Sequence, residues 1–195
     1  MKPKNLYSAI IVFVLCVVMI LPLAAFGAAA SDEAAAPASS ENPVDAAGKK
    51  IYFAAPLFSE SEREYNLKIT EILESYGYEV FLPQRDGLLA TELEGMTEEE
   101  KTQMIFAKDV EHVLDADILF MMLDGRVPDE GACVELGIAY ANDKRCYGFK
   151  TDARTVEIDM DLNPMITGCF IKLFENYDGE KLIVELKQYL SENEL

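Results

Sequence analysis

Five short apolar runs alternating with helical segments predict an α/β domain between Lys49 and Leu195. The expected architecture is a five-stranded parallel sheet with helices on both faces, in the flavodoxin-like (Rossmann-like) order. Two observations carry this. Strand-like and helix-like segments take turns from Lys50 to Ser191, and Ile118–Leu123 is the uninterrupted apolar run that a strand buried on both faces requires. The length allows one domain.

Lys50–Pro56 reads as the first strand, apolar, aromatic and ended by proline. Ser59 with Glu62 three residues on is a capping-box pattern. Behind it Tyr65, Ile69, Ile72, Leu73 and Tyr76 recur at helical spacing up to Gly77. Tyr78–Leu82 is the second strand and Pro83–Gly87 a loop, while Leu88–Met96 receives no element. Thr97 caps a helix whose first turn is acidic, as the helix dipole favours, and whose apolar face runs through Met104, Ile105, Val110 and Val113. His112 falls in this charged helix and is expected at its exposed face. After the apolar strand come a polar turn and a small-residue helix from Gly131 to Ala141, then a fourth strand at Arg145–Phe149. Thr151–Thr167 is polar and irregular, Cys169–Phe174 a fifth strand, and Gly179–Ser191 a closing amphipathic helix.

The N-terminus differs in kind. Lys2 and Lys4 precede an uncharged apolar run from Leu6 to Phe26, and Ala28–Ala30 offers a small-residue cleavage site, so residues 1–30 are expected to be an export signal or an uncleaved membrane anchor. Residues 31–48 form an Ala/Ser/Pro/acidic linker with too little apolar content to fold. The expected location is therefore outside the cytoplasm: periplasmic, secreted or membrane-anchored. A net charge of −18 repels phosphate backbones and argues against nucleic acid as a partner. Cys133, Cys146 and Cys169 are an odd set without a CxxC pair, which is neither a disulfide framework nor a zinc site. A single histidine argues against a Ser/His/Asp triad and a His-based metal site. No GxGxxG or Walker pattern supports a dinucleotide or ATP site, so no cofactor is expected. The chemistry narrows to carboxylates.

One carboxylate stands out. From Gly131 to Ala141 the only charge is Glu135, which shares a helical stripe with Gly131, Ala132, Ile138 and Ala139. A carboxylate on an inward-facing stripe is kept with partners or for a purpose. Glu135 is expected at the floor of a site beyond the carboxyl ends of the strands, where ligands of such sheets bind. Asp124 and Arg126 in the preceding turn are expected to form an ordinary salt bridge.

Several motifs in order resemble the nucleoside 2-deoxyribosyltransferase family. Ile51–Ala55 is similar to its first strand, Pro83-Gln-Arg-Asp-Gly87 to its base-contacting loop, and Asn163-Pro-Met165 to its Asn-x-Met element. Asp109 lies 26 residues before Glu135 and Asp129 lies 6 before it, as in the family. The likeness runs from Lys50 to about Phe174.

The resemblance implies base exchange on 2′-deoxynucleosides, a salvage reaction, through a covalent deoxyribosyl-enzyme. Glu135 would be the nucleophile and Tyr52 would orient it. Asp109 would be the base-side acid, and Asp129 would contact the sugar. Phe58 would wall the base and Gln84 would read its edge. Asn163 and Met165 would enter a neighbouring subunit's site, which implies a homo-oligomer. Two points depart from the pattern: the export segment, and Ala54 in place of a glycine near the end of the first strand. Two rivals use the same residues. An N-glycosidase would pass the sugar to water, and a non-catalytic nucleoside-binding module would pass it nowhere.

Overall fold

Residues 48–154 and 161–195 are described by the computed structural model. Residues 1–30, expected to be an export signal or membrane anchor, and all of the expected linker but Gly48 lie outside them.

Strand β1 (Lys50–Ala54) divides the core in two. Alternation by the period of a pleated strand sends Ile51 and Phe53 to one face of the sheet and Tyr52 and Ala54 to the other. Around it lie β2 (Glu79–Phe81), β3 (Ile118–Met122), β4 (Arg145–Lys150) and β5 (Lys172–Glu175). All neighbours pair in parallel, in the order β2-β1-β3-β4-β5. This is the flavodoxin-like order the sequence predicts. The central strand, β3, has all five residues buried, as its unbroken apolar run requires. Gly148 on β4 admits a close approach, since a Cβ there would sit 2.8 Å from Leu173 and 2.9 Å from Phe170.

Helices α1 (Glu60–Ser75) and α6 (Gly179–Glu192) cover one face. Ile69, Ile72 and Leu73 of the first and Leu182, Ile183, Leu186 and Leu190 of the second pack on Phe53, Phe120, Phe149 and Phe174. Helices α3 (Glu98–Asp115) and α4 (Glu130–Ala141) cover the other, with Val113, Ala132, Leu136 and Ala139 against Tyr52, Leu119 and Met121. Both expected N-caps form full capping boxes, Ser59 with Glu62 and Thr97 with Glu100.

Three segments differ from the sequence reading. Pro83–Asp86 is a short helix, α2, because the Asp86 carboxylate accepts the Leu82 N–H and pairs with Arg85, closing a turn that proline begins. Ala90–Glu92 is a 3-10 turn in the stretch that received no element. Residues 169–171 are not strand. Pro164–Thr167 forms a short helix, α5, and the Cys169 and Phe170 N–H groups bond back to its last carbonyls, so β5 begins at Lys172.

Candidate active site

The alternation of β1 fixes the first member of the site. Tyr52 is fully buried on the face covered by α3 and α4, and its hydroxyl donates to Glu135 Oε1 at 2.7 Å. Glu135 reaches that point because α4 starts at a defined place. Asp129 is the N-cap, its Oδ1 accepting the Ala132 N–H at 2.8 Å, which leaves Glu135 a turn and a half into the helix. A Cβ at Gly131 would lie 3.1 Å from Asp129 Oδ1, so the small residue keeps this cap undisturbed. The polar turn before it is held by Asp124, which accepts from the Thr151 and Asp152 N–H groups and the Thr151 hydroxyl. These bonds to the end of β4 replace the expected salt bridge with Arg126, because the carboxylate faces two free backbone donors.

Asp109 on α3 and Glu135 line one cavity of about 520 Å³ between the two helices. Ile105, Phe106, Val110, Val134 and Ile138 give it apolar walls. Burial here shifts both acids. Desolvation pushes Glu135 up to about 7, opposed by the Tyr52 hydrogen bond and reinforced by the charges of Asp109 and Asp129. Desolvation also raises Asp109, while His112 and Lys108 pull it back. Tyr52 is held protonated by burial first and by the Glu135 charge second. The cavity thus contains two acids that burial shifts toward their protonated forms, one of them pushed up to about 7 and aimed by a buried phenol.

The other expected residues lie elsewhere in the single chain. The Gln84 side-chain oxygen accepts from Asn66 at 3.0 Å, and its amide donates to the Arg63 carbonyl at 2.9 Å, tying α2 to α1. Phe58 is 78% exposed ahead of α1. Asn163 caps α5, its Oδ1 accepting the Met165 N–H, and Met165 is 82% exposed. Both line a second hollow of about 640 Å³ with Val127, Cys133 and Tyr140.

Sequence reasoning missed what lies beneath Tyr52. Phe81 stacks on it with ring centroids 5.5 Å apart, and His112 stacks on Phe81 at 3.8 Å. His112 is therefore half-buried against an aromatic ring rather than free at an exposed face. The only signal was its place one turn after Asp109.

The sequence profile of nucleoside 2-deoxyribosyltransferases matches residues 51–189. The chain belongs to that family. Among solved structures, the 2-deoxyribosyltransferase of the psychrotolerant bacterium Bacillus psychrosaccharolyticus is 30% identical, with a TM-score of 0.57 over 72% of this chain and 91% of that one. A conserved protein of Enterococcus faecalis is 28% identical, also at 0.57, over 73% of this chain and 99% of that one. The CMP N-glycosidase of Clostridium botulinum shares the fold at 16% identity and a TM-score of 0.50, over 72% of this chain and 99% of that one. No curated protein sequence matches significantly. Membership supports deoxyribosyl transfer or a related N-glycosidase reaction.

Proposed function

We propose that this protein moves the 2-deoxyribosyl group of a 2′-deoxynucleoside to another nucleobase through an ester on Glu135, a salvage reaction. The observation that carries the reading is the 2.7 Å hydrogen bond from buried Tyr52 to Glu135, in a cavity shared with Asp109.

In the first step a Glu135 carboxylate oxygen attacks C1′, and the bond from C1′ to the base nitrogen breaks with its electron pair leaving on the base. Asp109, whose carboxyl burial shifts toward its protonated form, gives the base its proton. In the second step a nitrogen of the incoming base attacks C1′. The ester bond breaks, the carboxylate is restored, and Asp109 takes the proton released by the new base. Two inversions give net retention. The missing 2′-hydroxyl eases the oxocarbenium-like transition state, and every step balances with carboxylates alone. The Tyr52 hydrogen bond favours the ionised form of Glu135 and directs it, opposing the desolvation that raises the acid to about 7. Asp129, whose other task is the helix cap, contacts the sugar.

Phe58 and Gln84, which lie outside the Asp109–Glu135 cavity, meet the base from the α1–α2 side, Phe58 walling it and Gln84 reading its edge. Asn163 and Met165 complete a neighbouring copy's cavity in a homo-oligomer, a role that suits a side chain 82% exposed beside exposed Val127 and Tyr140. Sedimentation should give an oligomer whose exchange rate falls in Met165→Ala, and a fully active monomer would remove this part. The reading of residues 1–30 as an export signal or uncleaved membrane anchor supports a reaction outside the cytoplasm or at a membrane face.

The test incubates thymidine and adenine with the protein and with Glu135→Ala, followed by chromatography. New deoxyadenosine that disappears in the variant supports the transferase. Free deoxyribose without exchange moves the reading to the N-glycosidase. Tight binding without turnover leaves a nucleoside-binding module.

A further inference from the structure

We infer that Phe81 and His112 are positioning residues: their stacked rings fix the plane of Tyr52 and thereby the aim of its hydroxyl at Glu135. This rests on the proposed role of Glu135.

Tyr52, Phe81 and His112 come from three elements, β1, β2 and α3, and their rings form a continuous pile. Interplanar angles are 21° between Tyr52 and Phe81 and 15° between Phe81 and His112. Tyr52 and Phe81 are also cross-strand partners in the β1–β2 ladder, so backbone pairing sets their spacing. A tyrosine pivots about two side-chain torsions, and a flat partner at stacking distance restricts both. Leucine in place of His112 would fill the volume without supplying a plane.

The pile ends in a hollow of about 360 Å³ that shares no lining residue with the Asp109–Glu135 cavity. Charged groups reach it from every element around: Lys50 of β1, Glu79 of β2, Arg85 and Asp86 of α2, and Asp115 of α3. Asp109 and Lys108 lie one turn back along α3. The imidazole can thus meet water at one edge while its face supports the pile, which phenylalanine can also do. A second consequence follows from that spacing: charge on His112 favours ionised Asp109.

The experiment compares the protein with His112→Phe, His112→Leu and Phe81→Leu. The first readout is the pH titration of the Glu135 side-chain carboxyl by carbon NMR, assigned with Glu135→Gln. It needs no turnover, so it separates failure of this inference from failure of the transferase reading. In the unmodified protein the carboxyl should titrate near 7. Losing the plane weakens a hydrogen bond that favours the ionised acid, so both leucine variants should titrate higher while His112→Phe stays at the native position. The second readout is exchange. The leucine variants should lose about three- to tenfold in kcat with KM little changed. His112→Phe should retain the rate, with the Asp109 limb of its pH profile moved upward. Leucine variants that melt earlier yet titrate and turn over as the native protein does would overturn the inference, as would His112→Phe behaving like His112→Leu.

Discussion

The two faces of the sheet are made by the same strands and do different work. On the α1–α6 face, β1 sends Ile51 and Phe53 into a layer of Phe120, Phe149, Phe174 and helix leucines. On the α3–α4 face the same strand sends Tyr52 toward a carboxylate, and the helix above it sets the small residues Gly131, Ala132, Gly137 and Ala139 among Leu136 and Ile138. One face is closed by packing. The other is left open by small residues, and its acids are shifted by desolvation away from the charged forms they would hold in water. Stability and chemistry are thus separated by a period of two, and a substitution's effect depends on which face it enters.

The sharpest contrast should come from one substitution on each face. Asp109→Asn should lower the exchange rate by about 10²–10⁴-fold while leaving the melting temperature level or higher, because it removes an acid that burial disfavours as a charge. Phe120→Ala should do the reverse, costing about 3–5 kcal/mol of stability with normal turnover per folded molecule. Thermal melts beside initial rates check both, and a Phe120→Ala protein that is stable yet inactive would break the separation.

Next in size is Glu135→Gln. The native acid is raised from its ordinary value of 4.5 to about 7, so folding favours its protonated form. That contribution is fully present below pH 4.5 and is lost as pH rises through 7. The glutamine variant, which never ionises, should match the native protein at pH 4 and exceed it by roughly 3 kcal/mol at pH 8. Denaturant melts across that range measure it.

Tyr52→Phe removes a hydrogen bond to a charged group, worth about 1.5–3 kcal/mol, so kcat/KM should fall by about 10–100-fold. Its acid limb should also move to higher pH, because the lost bond lowers the Glu135 value. The smallest effect belongs to Asp129→Asn. Asparagine still caps α4, but the charge that raises Glu135 is gone, so the acid limb should move to lower pH with the helix intact by circular dichroism.

What was legible in the sequence follows the range of the interactions. Ser59 with Glu62 and Thr97 with Glu100 are local patterns, and both boxes form. The central strand was written in an unbroken apolar run, and Glu135 in being the only charge between Gly131 and Ala141. What was not legible depends on pairs far apart in the chain. Asn66 takes the Gln84 side chain across 18 residues, and Thr151 takes Asp124 across 27. His112 looked like one more polar residue on a charged helix because nothing nearby announces Phe81 above it. The sequence names the polar group, and the fold chooses its partner.

In the proposed reaction Glu135 carries the sugar. Intact-mass spectrometry of the protein mixed with thymidine, with no acceptor base, tests it most directly. The protein should gain the mass of one deoxyribosyl group, peptide mapping should place it on Glu135, and added adenine should remove it as deoxyadenosine. Steady exchange with the adduct on another residue, or in Glu135→Gln, would contradict it.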